Sequence, residues 1–425
     1  MELLETILDD INLDKAIQQV VRNKGSNGVD KMSTMELKGV MSTEFRNELK
    51  DKIRGRKYNP SPVLRVEIPK ADGGVRELGI PTVIDRMIQQ AILQVLSPIY
   101  EPLFSETSYG FRPERSAHMA ITQALEYVNQ SRDWIVDIDL EKFFDRVNHD
   151  KLIQIVSDTV KDGDVVSLIR KYLQSGVMID EEYKESVIGT PQGGPLSPLL
   201  ANIILDKLDK ELERRGLRFV RYADDIQIYV KTEKAANRVM KNVTRFLEEE
   251  LKLKVNMTKS KVRRPNDPGT KFLGFGFYKD SRAYLYKTKP HMKSVKSLKD
   301  KIRFITSRSK GWSIERRLNS LRYLFRGWFN YFKIGAIKTL TKTIDRFTRV
   351  RLRIVIWKQW KTIKGRYRGL KKLGVNPRKA WEWANTRKKY ARVANSFILS
   401  TTVTNAILKI KGFLPMEDLY LEYSI

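Results

Sequence analysis

Cysteine is absent from this chain of 425 residues, and histidine occurs only three times. The absence of cysteine excludes disulfide bonds and every metal site built on thiolates. With so few histidines, a bound metal would have to be held by oxygen. Long apolar runs are also missing, because no stretch approaches the roughly 18 residues that a membrane-spanning helix needs. The amino terminus, MELLETILDD, is acidic where a secretory signal would be basic. We therefore expect a cytoplasmic protein that has no membrane partner.

Negative charge is scarce in the last third of the chain. Residues 291–425 contain 33 Lys and Arg against 7 Asp and Glu, whereas residues 1–290 contain 47 and 43. The basic residues alternate with aromatic ones, as in LRYLFRGWFNYFK. Such a surface can follow a phosphate backbone and stack on bases. The composition predicts a basic module that binds nucleic acid.

Strands and helices are mixed before this module. The segment VLRVEIPKADGGVRELGIP alternates as a hairpin around a Gly-Gly turn, and RFVRY and IQIYV predict a second hairpin. A third is predicted in KFLGFGFYKDSRAYLYK. Strand pairs that form hairpins indicate an α+β domain around an antiparallel sheet. After Pro290 the pattern is helical and predicts a separate all-α unit.

Carboxylates interrupt two apolar segments of the α+β region. Asp224 and Asp225 stand side by side at the bend in FVRYADDIQIYV, and Asp137 and Asp139 share one face of the strand in WIVDIDLEKFFD. Taken alone, adjacent aspartates are typical of a turn. A carboxylate in an apolar strand needs a partner to offset its desolvation, and neither apolar core segment contains a basic residue.

A divalent cation would supply the missing positive charge. Oxygen ligands favour Mg²⁺, which takes one or two carboxylates and completes its shell with water and phosphates. Two such ions activate an attacking hydroxyl and stabilise a leaving oxygen. A carboxylate cluster beside a nucleic-acid surface therefore predicts nucleotidyl transfer.

The order of several sequence blocks resembles that of bacterial group II intron-encoded reverse transcriptases. The blocks are IPKADGGVRELGIP, SYGFRP, DIDLEKFFDRVNH, TPQGGPLSPLLANIIL, FVRYADD, KVNMTKSK and FLGFGF, and RGWFNYF resembles the maturase region of the family. The resemblance implies a right-hand polymerase with fingers and an antiparallel palm sheet, an all-α basic thumb that doubles as the maturase domain, and a small helical DNA-binding domain. The expected limits are 1–286 for fingers and palm, with an amino-terminal extension over 1–60, then 287–365 and 366–425.

The resemblance also implies the metal ligands. Asp139 and Asp224 match the two carboxylates that bridge a pair of Mg²⁺ ions, and Asp225 matches a third, more peripheral one. Asp137 is then interpreted as structural.

The deoxynucleoside triphosphate (dNTP) site follows from the same resemblance. Lys70 and Arg76, which flank the Gly-Gly turn, match residues that hold the triphosphate, although they could also be an ordinary charged rim. Gln192 matches the glutamine of the nucleotide pocket. Phe144 matches the gate that excludes a ribose 2′-hydroxyl, or else belongs to the palm core with Phe143.

Two further residues match the family with less definite roles. Lys259 matches a lysine that protonates the departing pyrophosphate, although a solvated lysine is an alternative in so basic a segment. Arg112 of GFRP matches a family position and is grouped with the dNTP-binding residues without a specific role.

These matches predict a primer-dependent, RNA-directed DNA polymerase. Its expected partners are an RNA template, its own group II intron RNA, a DNA primer or target, and dNTPs, and it would assist splicing and retrohoming. No nuclease segment rich in histidine and cysteine occurs, so we expect no DNA cleavage by that route. Two alternatives stay open: an RNA-binding splicing cofactor whose polymerase is vestigial, and a retron or diversity-generating reverse transcriptase.

Overall fold

The chain forms two compact units, Met1–Arg264 and Pro265–Ile425. The computed structural model describes residues 3–69, 73–179, 182–185, 188–189 and 193–424. The first unit combines helices with two four-stranded sheets, and the second combines helices with a two-stranded hairpin.

Polar capping residues begin many helices of the first unit. The Thr82 hydroxyl accepts a hydrogen bond from the Asp85 N–H at the start of α5, and the Asn148 side chain caps α8 in the same way. The helices are α1 (Leu3–Leu8), α2 (Asp10–Asn23), α3 (Leu37–Val40), α4 (Thr43–Arg54), α5 (Val83–Tyr100), α6 (Ala117–Asn129), α7 (Phe143–Arg146), α8 (His149–Thr159), α9 (Gly163–Gln174), α10 (Ser197–Arg214) and α11 (Glu233–Glu249), with a 3₁₀ turn at Glu101–Leu103.

The strands of this unit form two sheets with the orders β2-β1-β4-β5 and β6-β7-β3-β8. The strands are β1 (Val63–Pro69), β2 (Val75–Ile80), β3 (Trp134–Ile138), β4 (Val177–Ile179), β5 (Glu182–Lys184), β6 (Arg218–Tyr222), β7 (Asp225–Val230) and β8 (Lys261–Arg263). The second sheet is wholly antiparallel, whereas β1 pairs with β4 in parallel. The β1–β2 and β6–β7 hairpins confirm the sequence prediction.

The antiparallel sheet β6-β7-β3-β8, here called the palm sheet, has a buried centre. Residues 226–230 of β7 are all buried, which is the pattern of a central strand covered on both faces. Apolar side chains of α10, including Ile204 and Leu208, belong to the same core. This packing fixes the strand ends from which the aspartates project.

The second unit is almost entirely helical after Pro290, as its sequence predicts. Its elements are β9 (Phe275–Lys279), β10 (Tyr286–Pro290), α12 (Met292–Ile305), α13 (Ile314–Phe332), α14 (Lys338–Gln359), α15 (Ile363–Lys372), α16 (Pro377–Ala384), α17 (Tyr390–Asn395), α18 (Phe397–Thr402), α19 (Asn405–Ile410) and α20 (Met416–Tyr423). Across the described ranges of both units, no helix is long and apolar enough to cross a membrane.

The compact units separate earlier in the chain than the predicted limit at residue 286. The β9–β10 hairpin groups with the helices that follow it, because the Ala336 N–H donates to Thr288 O at 2.8 Å and the Tyr331 hydroxyl donates to Leu273 O at 2.8 Å. The predicted limit would instead place β9 and the turn that follows it in the palm. The functional limits at 286 and 365 stay a prediction.

Candidate active site

The paired aspartates lie at the tight turn between β6 and β7. Tyr222 pairs with Asp225, so Ala223 and Asp224 form the two-residue loop. Ala223 has φ of +58°, in the left-handed region that favours glycine. Asp224 is exposed, and its carboxylate forms no hydrogen bond or ion pair with another described residue. The turn therefore presents Asp224 to solvent from a constrained backbone.

The strand register brings Asp139 to the same end of the palm sheet. Ile138 on β3 pairs with Ile226 on β7, and continuing this register by one residue sets Asp139 opposite Asp225. The backbone of Asp139 is also held from the other side, where its N–H donates to Ser260 Oγ at 3.0 Å. Three carboxylates thus come from neighbouring strand ends.

Asp137 belongs to a hydrogen-bonded chain inside the sheet. Gln227 is fully buried, donates from Nε2 to Asp137 Oδ1 at 3.4 Å, and accepts from the Tyr229 hydroxyl at 3.0 Å. Burial, followed by the negative charges of Asp137 and Asp225, raises the pKa of Tyr229 well above its ordinary value. These contacts favour the structural interpretation of Asp137.

The acidic end of the palm sheet suits a hard cation in its donor chemistry. Among the described residues, no three His, Asp or Glu side chains are grouped as a metal site. Mg²⁺ commonly uses one or two carboxylates together with water and substrate phosphates, so a cage of three protein ligands is not required. The register that joins Asp139 to the aspartate turn is the observation that favours metal binding here.

A buried ion pair is hydrogen-bonded to the backbone of the aspartate turn. Arg221 donates from Nη2 to Asp209 Oδ2 at 2.6 Å, and both side chains are inaccessible to solvent. Its Nη1 donates to Asn202 Oδ1 at 2.8 Å and to the Ala223 carbonyl at 3.2 Å. The expectation that the apolar segments contain no basic residue is therefore wrong, because Arg221 lies in FVRYADDIQIYV and is buried. Its charge is matched by Asp209 on α10 and not by the paired aspartates.

The loop SYGFRP packs directly against the same turn. The Tyr109 N–H donates to Arg221 O at 2.8 Å, and Asn202 Nδ2 donates to Gly110 O at 2.9 Å. A Cβ atom on Gly110 would lie 2.2 Å from the backbone nitrogen of Ala223. Only glycine permits this close approach. The sequence marks the loop as a family block, but its contact with the turn depends on tertiary packing.

Arg112 differs from its expected place among the dNTP-binding residues. Its side chain is buried, with Nε 2.9 Å from Glu101 Oε1 and Nη1 2.9 Å from Ser108 O, and Nη1 also bonds to Ser105 O. A guanidinium whose donors serve a buried loop has little left for a substrate phosphate. We interpret Arg112 as the residue that holds this loop against the aspartate turn.

Of the residues expected to hold the triphosphate, the structure describes Arg76, which lies in the β1–β2 hairpin. Arg76 is exposed on β2 and pairs with Ile68, so its side chain is accessible to a ligand. Lys70 lies outside the described residues, as does Gln192. Their expected roles in the dNTP site stay predictions.

Both flanks of the segment that carries Gln192 are in close backbone contact with their neighbours. Gly189 has φ of +97°, and a Cβ there would lie 3.0 Å from Phe144 O. Gly193 has φ of +136°, and a Cβ there would lie 2.5 Å from the carbonyl oxygen of Gly79 on β2. The glycines of GTPQGG therefore allow close approach to the Phe144 segment on one side and to β2 on the other.

His149 anchors the first of these flanks. The ring is buried, and its Nε2 lies 2.6 Å from Gly189 O. Burial lowers the pKa of His149 below its ordinary value of 6.5, although the bond to Gly189 opposes this shift. No pattern in the sequence indicates that His149 holds this loop.

Phe143 and Phe144 differ in exposure, as the gate interpretation requires. Phe143 is buried at 3% exposure, whereas Phe144 is half-buried. Their ring centroids are 5.0 Å apart with an interplanar angle of 69°. Phe143 thus belongs to the core and braces Phe144 at its edge.

Lys259 lies in a tight turn beside Asp139. Its N–H donates to Asn256 O at 3.1 Å, and the Asn256 N–H donates to Asp139 O at 2.8 Å. The Lys259 side chain is exposed. The turn thus brings an accessible lysine into the neighbourhood of the acidic strand ends.

Comparison with known protein families identifies two domains. Residues 68–277 match the reverse transcriptase (RNA-dependent DNA polymerase) family, and residues 295–374 match the maturase-specific domain of group II introns. The first match confirms the α+β right-hand polymerase fold that the sequence predicts. The chain therefore contains a reverse transcriptase domain followed by a maturase-specific domain.

Two curated relatives are similar to this chain in sequence. Protein YkfC of Escherichia coli is 34% identical over 64% of this chain and 81% of its own length. The group II intron-encoded protein LtrA of Lactococcus lactis is 36% identical over 48% of this chain, which spans only 34% of that relative. The chain belongs to the family of group II intron-encoded reverse transcriptases with a maturase domain.

Proposed function

We propose that nucleotidyl transfer takes place at the end of the palm sheet where neighbouring strand ends carry Asp139, Asp224 and Asp225. The observation that carries this proposal is the register of β3 and β7, which joins two separate sequence blocks at one sheet end. Paired acidic groups at a solvent-facing turn are chemically suited to bind divalent cations.

In this proposal Asp139 and Asp224 hold two Mg²⁺ ions, with Asp225 as the outer ligand. When bound, the ions supply activation of the primer hydroxyl and stabilisation of the leaving oxygen. The exposed Lys259, in the turn that bonds to Asp139, is suited to give a proton to the departing pyrophosphate.

The dNTP would bind between the palm sheet and the β1–β2 hairpin. Arg76 and Lys70 would bind the triphosphate from the hairpin rim, where their charge stabilises developing negative charge. Gln192 would complete the nucleotide pocket. Phe144, braced by Phe143, would exclude a ribose 2′-hydroxyl by its bulk and so select deoxynucleotides.

The partners follow from the basic second unit and from the maturase domain. We propose that the chain binds an RNA template, a DNA primer or target, and its parent intron RNA, which it helps to splice and to retrohome. The excess of basic residues in 291–425, 33 against 7 acidic ones, supports a large phosphate contact. A cytoplasmic location stays a prediction from the amino terminus.

A splicing cofactor with a vestigial polymerase is the second candidate. It is favoured by one observation, namely the match of residues 295–374 to the maturase-specific domain, which does not depend on an active polymerase site. The maturase-domain match over residues 295–374 disfavours a retron or diversity-generating enzyme.

Primer extension separates these candidates. The parent protein, Asp224→Asn and Asp158→Asn would each be given an RNA template, a DNA primer, dNTPs and Mg²⁺, and RNA affinity would be measured for all three. Asp158 is an exposed aspartate on α8, which makes its variant a matched control. We expect Asp224→Asn to lose at least about a hundredfold in extension rate while it keeps its RNA affinity. If the parent binds RNA tightly but does not extend the primer, the polymerase proposal fails and the splicing cofactor becomes the supported function.

A further inference from the structure

A basic cavity lies in the second unit, among residues that the proposed polymerase site does not include. Its volume is about 560 Å³, within the range of sites that bind small molecules or parts of larger ones. Three chain segments form it: the loop after α12, helix α14 and the first residue of α17. The lining residues are Ser307, Arg308, Ser309, Arg351, Lys358 and Tyr390.

The three cationic side chains of this cavity are not neutralised by any described carboxylate. Arg351 and Lys358 are two turns apart on α14 and therefore lie on one helix face. Arg308 and Lys358 both lie near the Tyr390 ring, at 5.1 and 5.5 Å from its centroid. None of the three forms an ion pair with a described carboxylate, whereas nearby Arg303 pairs with Asp300. The cavity thus concentrates positive charge that the described part of the chain does not neutralise.

Arg351 is held in a fixed orientation at the cavity wall. Its Nε donates to Thr306 Oγ1 at 3.1 Å and its Nη2 to Thr306 O at 3.1 Å. Burial, and then the positive charges of Arg303 and Arg308, lower the pKa of Arg351. A bound anion would offset this repulsion between like charges.

The hydroxyls of Ser307 and Ser309 complete the polar lining. Their oxygens are 2.9 Å apart, and since one hydroxyl donates to the other, at least one proton is available to a ligand. An oriented guanidinium, two further cations and a hydroxyl donor form a set that matches the several acceptor oxygens of a phosphate.

We propose that this cavity binds one backbone phosphate of a nucleic-acid strand. Arg351 contributes Nη1, the guanidinium nitrogen that forms no hydrogen bond to a described residue. Arg308 and Lys358 flank the phosphate, and Tyr390 forms the wall against the adjoining sugar or base. The proposal rests on nucleic-acid binding by the second unit, and it locates one fixed contact within that broadly basic surface.

The test compares two double variants that remove the same charge. Arg308→Gln with Lys358→Gln empties the cavity of two cations, whereas Lys364→Gln with Arg368→Gln removes two exposed cations from α15 outside it. Affinity for one RNA and for single-stranded DNA of the same sequence would be measured against salt concentration. We expect the affinity of the cavity variant to fall about tenfold or more, and the magnitude of its slope of log K against log salt concentration to fall by about one to two. The affinity of the control should fall less than about threefold.

Equal losses in the two double variants would overturn the proposal, because net charge alone would then explain them. Arg351→Lys, which keeps the charge but loses the guanidinium that Thr306 holds in place, provides a second test: we expect weaker binding, and unchanged affinity would overturn the fixed contact. Thermal unfolding of each variant would check the fold. Equal loss for RNA and DNA supports recognition of phosphate alone, whereas loss for RNA only supports a phosphate contact specific to RNA. Primer extension by the parent, measured in parallel, would show separately whether the polymerase proposal fails.

Discussion

Arg221 and Asp209 form an ion pair in which neither side chain is accessible to solvent, 2.6 Å apart and bonded to the turn that carries Asp224. Asp209→Asn would leave the Arg221 charge buried without its counterion. We expect a loss of about 3 to 5 kcal/mol in the free energy of unfolding, measured by urea titration. The control is Glu213→Gln, which breaks the exposed pair with Lys210 on the same helix and should cost less than about 1 kcal/mol. Equal costs would contradict a supporting role for the buried pair.

Gly110→Ala should impair catalysis more than RNA binding. The added Cβ would lie 2.2 Å from Ala223 N, so the loop or the aspartate turn must shift. A small displacement of a catalytic group can cost about a hundredfold in rate. Primer extension at saturating template would measure this loss. Gly39→Ala on α3 is the control, because its Cβ would meet nothing within 4 Å, and similar losses in both variants would contradict the close-contact interpretation.

Phe144→Ala should weaken discrimination between deoxynucleotides and ribonucleotides. Removing the half-buried ring opens space for a 2′-hydroxyl, and we expect the ratio of kcat/KM values for dNTP and NTP to fall at least about tenfold. Phe45→Ala on α4 also truncates a half-buried phenylalanine and should leave this ratio unchanged. An unchanged ratio in Phe144→Ala would contradict the gate and favour the interpretation of Phe144 as a residue of the palm core.

Arg112→Lys separates a structural role from a dNTP-binding role. Lysine keeps the charge but cannot make all the bonds to Glu101 and Ser108 that the guanidinium makes. We expect a loss of about 1 to 3 kcal/mol in stability with little change in KM for dNTP. A large rise in KM at unchanged stability would restore the role that the sequence resemblance implies.

His149 should make stability depend on pH below about 6.5. Its pKa is lowered in the folded protein, so the unfolded chain binds a proton more readily. The contribution is therefore fully present above the unfolded pKa of about 6.5 and is lost as pH falls below it. His149→Gln can still donate to Gly189 O but does not titrate. We expect the urea midpoint of the parent to fall more than that of the variant between about pH 7.5 and about pH 5.5, and parallel falls would contradict the assignment.

Local chemistry accounts for what the sequence predicts well. The hairpins follow from alternating strands around glycine or aspartate turns, and the helical second unit follows from its periodicity. Asp139 and Asp224 are recognisable because carboxylates interrupt apolar segments. Their placement at the same end of the palm sheet depends on strand register, which hairpin rules do not fix for the distant pair β3 and β7.

The buried ion pair that supports the aspartate turn is not predicted from the sequence, because it too depends on tertiary packing. Asp209 lies among other charged residues in the helix LLANIILDKLDK, whereas Arg221 interrupts the apolar strand FVRY. Opposite charges in two buried elements are a usable signal for an ion pair. The close approach of Gly110 to Ala223 leaves no comparable trace, because a glycine in a loop is compatible with many environments.

The strand order of the palm sheet affects how the chain folds during its synthesis. Its strand β3 takes its partners from much later in the sequence, as the bond between Asp137 and Gln227, 90 positions apart, and the bond between Asp139 and Ser260, 121 positions apart, indicate. At roughly 5 to 20 residues per second of synthesis, β3 must wait roughly 5 to 20 s for β7 to leave the ribosome. During that interval an apolar strand with unpaired edges is exposed in the nascent chain. The first unit therefore depends on its own helices, or on a chaperone, to keep β3 from aggregating before the sheet closes.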